Sequence, residues 1–178
     1  MTRRFVITAV GDDRPGIVAA FTGALLSLDA NLEDTAMTLL EGQFAMVLVI
    51  ALPTGDAHDV RDALGAVAEK FALMVDVRES GPQGSATAGR QCALTVYGAD
   101  HPGIVHRVTA VLADLGVNVV DLSTRVIGRD NATPVYAMLL DLCVPDALAD
   151  DALRTELDCV AGELGVDCTL RAVDADIL

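Results

Sequence analysis

The sequence predicts an α+β protein built from two successive units, each with the element order βαββαβ. The first supporting observation is an internal repeat: a shift of 87 residues aligns 8–34 with 95–121, and 12 of the 27 aligned pairs are identical. The second is that strand-like and helix-like apolar patterns recur in the same order in each copy. The third is the composition of residues 80–90, whose glycines, proline and small side chains indicate a flexible linker. The predicted organisation is domain 1 at 1–79, a linker at 80–90 and domain 2 at 91–178.

The first copy supplies a pattern for each of its six elements. The strand runs are apolar and β-branched, and the helical stretches carry apolar residues every three or four positions. Pro15 suits the first turn of the first helix because its φ is fixed, and that helix is expected to end around residues 29–31. The predicted elements are a strand at Phe5–Val10, a helix carrying Ile17, Phe21, Leu25 and Leu28, strands at Leu32–Leu40 and Phe44–Leu52 around a turn at 41–43, a helix carrying Val60, Leu64, Val67 and Phe71, and a strand at Leu73–Val77.

The second copy repeats this order, with a hairpin five residues longer that includes Arg129–Pro134. Its predicted elements are a strand at Cys92–Tyr97, a helix carrying Ile104, Val108, Leu112 and Leu115, strands at Asn118–Ile127 and Val135–Val144, a helix from about Asp146 to Leu164, and a strand near Val166–Val173. Each unit most simply forms a ferredoxin-like fold, a four-stranded antiparallel sheet with both helices on one face. The free sheet edges and the bare sheet face favour pairing between units.

The composition limits the classes of function. Hydrophobic residues make up 52% of the chain and charged residues 21%, which is typical of a compact protein with apolar surface left for an oligomeric partner. The longest apolar run, Phe44–Leu52, is about half of what a membrane-spanning helix needs, and no leader precedes Phe5, so we expect a cytoplasmic protein without a membrane partner. A net charge of −14 with scattered basic residues argues against direct nucleic-acid binding.

The cysteines and histidines do not form a recognisable metal or catalytic motif. The spacing of Cys92, Cys143, Cys159 and Cys168 fits neither a zinc site nor a redox pair, so they are interpreted as buried structural thiols. His101 and His106 are five residues apart, the wrong interval for one helical face. The sequence also lacks a phosphate-binding glycine loop and a nucleophile motif. We therefore expect no catalytic residues, no metal and no cofactor.

The repeated loop offers groups that match the head of a free amino acid. The helix N-terminus after Gly16 presents backbone N–H groups that can hold a carboxylate. Asp13 can accept from an ammonium group, and Asn31, expected on the loop that leaves the helix, brings a donor and an acceptor. The alternative is purely structural, because Asp before Pro-Gly is ordinary helix capping and Asn is common in the turn after a helix. Spacing alone does not separate the two interpretations.

At these residues the chain resembles the ACT domain family of small amino-acid-binding regulatory modules. The resemblance covers both halves and combines "DRPGIV" and "DHPGIV" with "ANLED" and "VNVVD" in the βαββαβ order. More narrowly, the stretch from "FVITAVGDDRPGIV" to "FAMVLVIALP" is similar to the glycine cleavage system transcriptional repressor family, whose members consist of two ACT domains.

The resemblance implies that units pair edge to edge, as in a homodimer, and that an amino acid, glycine or serine first, binds where they pair. The family's ligand residues map to the position before Arg-Pro-Gly and to the Asn beyond the first helix. His101 replaces the Arg in the second copy, and Asp stands where Asn is frequent. The candidate ligand-binding residues are Asp13, Arg14, Gly16, Ile17 and Asn31 in the first copy and Asp100, His101, Gly103, Ile104 and Asn118 in the second.

Three functional hypotheses follow from these observations. The first is a non-enzymatic, amino-acid-responsive regulator that acts on transcription or one-carbon metabolism through a protein partner, such as a DNA-bound regulator. The second is a regulatory subunit of an amino-acid biosynthetic enzyme. The third is a pair of units that have lost ligand binding and serve only for dimerisation. Thermal stabilisation by amino acids distinguishes the third from the others.

Overall fold

The structure is a computed structural model that describes residues 2–81, 89–127 and 134–173. The chain divides into two compact units, the first within residues 1–84 and the second within 85–178. Most of the predicted linker and of the "RDNATP" hairpin insertion lies outside the described residues.

The described residues of the first unit form a four-stranded antiparallel sheet and two helices in the predicted order. The elements are β1 (Arg3–Asp12), α1 (Ile17–Leu26), β2 (Asn31–Leu40), β3 (Gln43–Leu52), α2 (Ala57–Phe71) and β4 (Met74–Glu79). The spatial strand order is β2-β3-β1-β4, so β2 and β4 are the edges. Both βαβ crossovers place their helix over the sheet, which is the ferredoxin-like arrangement. The predicted fold class is confirmed.

The core of this unit lies between the sheet and its helices. Alternate residues of β1 and β3 are buried, as expected for strands with one covered face. The buried residues of the two helices are four or seven positions apart, which is the spacing of an amphipathic stripe. The largest fully buried side chains are Phe5, Ile7, Ile17, Phe21, Phe44, Leu48, Ile50, Leu52 and Leu64. Every position of β2, by contrast, is exposed.

The second unit repeats this arrangement. Its elements are β5 (Arg90–Ala99), α3 (Ile104–Asp114), β6 (Asn118–Ile127), β7 (Val135–Val144), α4 (Asp150–Leu164) and β8 (Val166–Ala172). The strand order is β6-β7-β5-β8, again antiparallel throughout. A separate apolar cluster centred on Leu94, Val108 and Met138 fills its core.

Several predicted element boundaries were wrong at the helix ends. Pro15 precedes α1, because Gly16 is the N-cap residue and adopts a left-handed φ of 96°. The helix ends at Leu26 instead of 29–31, and Asp29 takes the left-handed conformation with a φ of 53°. Asn31 is consequently the first residue of β2 and does not lie in the turn after the helix. Likewise α4 begins at Asp150 and not near residue 146.

Two glycines of the repeated motif are required by packing within the fold. A Cβ on Gly11 would lie 2.7 Å from Leu73 Cδ2 and 3.2 Å from the Ala72 carbonyl oxygen. A Cβ on Gly98 would lie 2.7 Å from Val166 Cγ1. Both glycines therefore allow the first strand of their unit to approach the chain closely at the junction between the second helix and the last strand. This part of the repeat has a structural explanation.

The cysteine interpretation is confirmed only in part. Cys92 and Cys143 are buried, whereas Cys168 is partly exposed and Cys159 is exposed, so the prediction of a buried thiol was wrong for Cys159. Burial raises the pKa of the Cys168 thiol to about 11, which keeps it protonated. Within the described residues, no helix combines the length and the apolarity that crossing a membrane requires.

Candidate ligand-binding site

The loop from Asp13 to Gly16 lies at the end of the sheet where β2 and β3 are joined. The Asp13 N–H donates to the carbonyl of Gly42 in that hairpin turn at 2.9 Å. One residue earlier, the Asp12 carboxylate accepts from the Gln43 side-chain amide at 2.9 Å. These bonds fix the backbone of the loop and leave the Asp13 and Arg14 side chains exposed.

The N-terminus of α1 is not capped by any side chain of the described residues. The Ile17 N–H reaches the Arg14 carbonyl at 3.4 Å and the Ala20 N–H reaches the Gly16 carbonyl at 2.9 Å. The N–H groups of Val18 and Ala19 have no partner among the described residues. The capping alternative for Asp13 is therefore wrong, and the positive end of the helix dipole faces an opening.

That opening is a pocket of about 300 Å³. Its wall is formed by residues 13–19, which brings the predicted Asp13, Arg14, Gly16 and Ile17 together. Two further residues, Met37 from β2 and Phe44 from β3, complete the wall and give it apolar character. The pocket thus combines a carboxylate, a guanidinium, free backbone N–H groups and an apolar surface. Ile17 itself is buried, so it contributes chiefly its backbone.

Asn31 is not part of this pocket. Asp12 pairs with Gln43, whereas Asn31 pairs with Ala51. The two pairs are eight residues apart on β3, which corresponds to about 26 Å along an extended strand. Asn31 therefore lies at the opposite end of the sheet, and one amino-acid head group cannot contact both Asp13 and Asn31 of the same unit.

The loop of the second unit has the same backbone and different side-chain contacts. Gly103 is the N-cap of α3 with a φ of 101°, and no side chain of the described residues caps this helix either. The His101 ring lies with Nε2 2.8 Å from the Leu164 carbonyl oxygen and Nδ1 3.2 Å from that of Pro102. Both contacts raise the pKa of His101, and the contact with Leu164 has the larger effect. The cause is that only the imidazolium can donate to both carbonyls. The Arg14 guanidinium, by comparison, is exposed and forms no hydrogen bond or ion pair with the described residues.

The strand registers identify the second-unit counterparts of Met37 and Phe44. Met37 pairs with Met46 as Thr124 pairs with Met138, and Phe44 pairs with Gly11 as Tyr136 pairs with Gly98. None of these four residues was among those predicted for the site. The longer second hairpin changes the offset between the copies before Tyr136, so the repeat alignment alone does not align it with Phe44.

Asn118 repeats the position of Asn31. It pairs with Cys143, eight residues along β7 from Val135, whose partner is Ala99. Asp100, directly after Ala99, and Asn118 therefore lie at opposite ends of their sheet as well. Asp100, His101, Gly103 and Ile104 remain together at the loop end of the second unit.

Comparison with known proteins agrees with this architecture. Models of the ACT domain match residues 3–78 and residues 93–157. The chain belongs to the ACT domain family and carries two ACT domains in tandem. The crystal structure of an unknown protein from Galdieria sulphuraria superimposes with a TM-score of 0.87 at 33% identity, covering 98% of this chain and 100% of that one.

Two kinds of curated relative are similar to this chain. A UPF0237 protein of Methanopyrus kandleri is 38% identical over 77 residues, which cover 42% of this chain and 86% of the relative. The glycine cleavage system transcriptional repressor of Escherichia coli is 25% identical over 126 residues, which cover 71% of this chain and 66% of the repressor. The second alignment is long enough to include parts of both ACT domains.

Proposed function

We propose that the chain is a non-enzymatic regulator that binds a free amino acid at the N-terminus of α1. The observation that carries this proposal is the uncapped helix end, which opens into a pocket that also holds Asp13 and an apolar wall. A helix N-terminus without a cap is a ready anion site, and the adjoining carboxylate suits a cation. A carboxylate and an ammonium group on the same carbon atom are the defining feature of an amino-acid head group.

The proposed pose follows from these groups. The ligand carboxylate accepts from the N–H groups of Val18 and Ala19, and its ammonium donates to the Asp13 carboxylate. The side chain of the ligand then lies against Met37 and Phe44. The exposed Arg14 guanidinium adds a second cationic partner for the carboxylate.

Asn31 takes part in the proposed site through a second copy of the chain. The edge strand β2 is exposed at every position and carries apolar Met37, Leu39 and Leu40. Beside it, α1 and β2 border an apolar groove of about 370 Å³. Antiparallel pairing of β2 with β2 of a second copy reverses the strand, so the Asn31 of that copy arrives at the loop end. The ligand would then bridge two chains and stabilise their pairing.

The regulatory output is proposed to pass through a protein partner. The net charge of −14 disfavours direct contact with nucleic-acid phosphates. The similarity to the glycine cleavage system transcriptional repressor supports a DNA-bound regulator as the partner and control of amino-acid or one-carbon metabolism as the purpose. Stable co-purification with a catalytic subunit would instead support a regulatory subunit of a biosynthetic enzyme.

A thermal-shift screen of the full chain against each proteinogenic amino acid tests the proposal. A cognate amino acid is expected to raise the melting temperature in a concentration-dependent manner, because it binds only the native state. The double variant Asp13→Ala, Asp100→Ala is expected to lose this shift. The matched control Asp62→Ala, Asp158→Ala removes the same charge from exposed helix positions and should keep it. Absence of a shift with every amino acid, or an undiminished shift in the double variant, would refute the proposal.

A further inference from the structure

Each of the two sheets has two edge strands whose outer backbone is not bonded within the sheet. In the first domain the edges are β2 and β4, and in the second they are β6 and β8. An uncovered edge presents N–H and carbonyl groups to which a strand of another chain can bind. If both edges of one sheet were uncovered, sheets of successive copies could add without limit.

On β4, an arginine of α2 binds the outer backbone. The Ser80 N–H donates to the Arg4 carbonyl at 2.8 Å, so these two residues form a hydrogen-bonded pair between β4 and β1. Such pairs alternate with non-hydrogen-bonded pairs along an antiparallel ladder, so the N–H and carbonyl of Val77, three residues earlier, point away from β1. The Arg61 guanidinium donates to this outward carbonyl at 2.6 Å. The helix therefore covers part of the edge.

The second domain has the same contact on β8. The Val173 N–H donates to the Gln91 carbonyl at 3.0 Å, and Leu170, three residues earlier, consequently directs its carbonyl away from β5. The Arg154 guanidinium of α4 donates to that carbonyl at 3.1 Å.

The strand registers show that the two arginine contacts are equivalent. Val77 pairs with Ile7, and Leu170 pairs with Leu94. Ile7 and Leu94 lie 87 residues apart, which is the shift that aligns the two copies of the repeat. The contact is thus a feature of both domains.

The opposite edge of the first sheet has no such cover. By the same alternation, Thr35, Met37 and Leu39 direct their N–H and carbonyl groups away from β3. Within residues 2–81, the one side chain bonded to these groups is that of the neighbouring Asp34, which accepts from the Thr35 N–H at 2.8 Å. The backbone groups of Met37 and Leu39 are therefore available to a second copy of the chain.

We infer that Arg61 and Arg154 block strand pairing at β4 and β8, so that each sheet pairs with one neighbouring sheet, through its opposite edge. A strand that added to β4 would have to displace a hydrogen bond from a charged donor and the arginine stem beside it. Pairing of β4 with β4 of a second copy would also bring two guanidinium groups together. This inference extends the strand pairing of the proposed function and does not depend on amino-acid binding.

Removal of both guanidinium groups from the full chain tests the inference. Arg61→Met with Arg154→Met keeps much of each apolar stem and leaves the two outward carbonyls free. Sedimentation velocity without added amino acid should show assemblies of about twice the wild-type mass or more, which grow with protein concentration. The matched control, Arg78→Met with Arg171→Met, removes the same charge from exposed positions of β4 and β8 and should keep the wild-type distribution. A wild-type distribution in the first variant, or equal assembly in both, would overturn the inference.

Hydrogen exchange of the wild-type chain gives a second test that needs no substitution. The outward amides of β2, at Met37 and Leu39, should exchange more slowly as the protein concentration rises, because pairing gives them acceptors. The outward amides of β4, at Val75 and Val77, should exchange at the same rate at every concentration. Protection at Val75 and Val77 that grows with concentration would overturn the blocking of β4. Absence of protection at Met37 and Leu39 would overturn the pairing through β2, whatever the outcome of the amino-acid screen.

Discussion

Asp13 and Asn31 lie at opposite ends of the first sheet, although the two copies of the repeat have the same number of residues between these positions. The strand register places their neighbouring pairs eight residues apart on β3. In the second domain, Asp100 and Asn118 show the same separation. A ligand that needs both residues therefore needs two chains, and this requirement can be tested.

The first prediction is complementation between two defective variants. In an Asp100→Ala background, Asp13→Ala and Asn31→Ala are each expected to lose amino-acid binding at the first domain. Equal mixing of the two, followed by subunit exchange, should restore about a quarter of the sites, because half of the dimers are mixed and one of their two sites is intact. Calorimetric stoichiometry measures the recovery. No recovery in a sample shown to contain mixed dimers would exclude a site shared between copies.

The second prediction concerns Gly11, the repeated glycine explained by packing. Gly11→Ala places a methyl group 2.7 Å from Leu73 Cδ2 and against the Ala72 carbonyl, so it should lower the free energy of unfolding by about 1–3 kcal/mol. Gly65→Ala on α2 is the matched control, because its Cβ would meet no atom of the described residues within 4 Å. That control should raise the stability by up to about 1 kcal/mol through helix propensity. Urea denaturation measures both, and equal effects would contradict the packing explanation.

The third prediction is a pH dependence that originates at His101. Its pKa in the folded chain is raised by the Leu164 carbonyl and then by the Pro102 carbonyl, while the unfolded chain keeps the ordinary value of 6.5. A raised pKa means that the folded state binds the proton more tightly. The resulting stabilisation is fully present below pH 6.5 and is lost as the pH rises through the folded pKa.

His101→Gln should therefore destabilise the chain more at about pH 5 than at about pH 8, as measured by chemical denaturation at each pH. His106→Gln is the control, because His106 is an exposed residue of α3. A stability difference between wild type and His101→Gln that does not change with pH would show that the two carbonyl contacts do not hold the imidazolium.

Much of the fold could be predicted from the sequence because local patterns determine it. The strand and helix identities follow from apolar periods of two and of three to four residues, and the same order of elements recurs in the second copy. The helix ends could not be predicted in the same way. The boundary at Gly16 depends on a left-handed residue, and the boundary near Asp29 depends on a non-glycine residue in that conformation. Neither conformation leaves a specific pattern of residue types.

The candidate site could be predicted only where it is local in sequence. Asp13, Arg14 and Gly16 adjoin one another along the chain and remain together in the pocket. Asn31 was expected nearby, but α1 carries the chain back across the sheet, so β2 begins at the far end. Met37 and Phe44 reach the pocket only through strand pairing, which requires the register. Tyr136 could not be matched to Phe44 from the repeat alone, because the longer second hairpin changes the offset between the two copies.

The uncapped first turns of α1 and α3 also have a consequence for dynamics. Backbone amides that lack an internal acceptor exchange their hydrogens with solvent readily, so Val18 and Ala19 should exchange much faster than amides in the middle of the same helix. A carboxylate that accepts from them would slow this exchange locally. Each helix start would then report occupancy of its own loop, and the two domains of one chain could be followed separately in a single deuterium-labelling experiment.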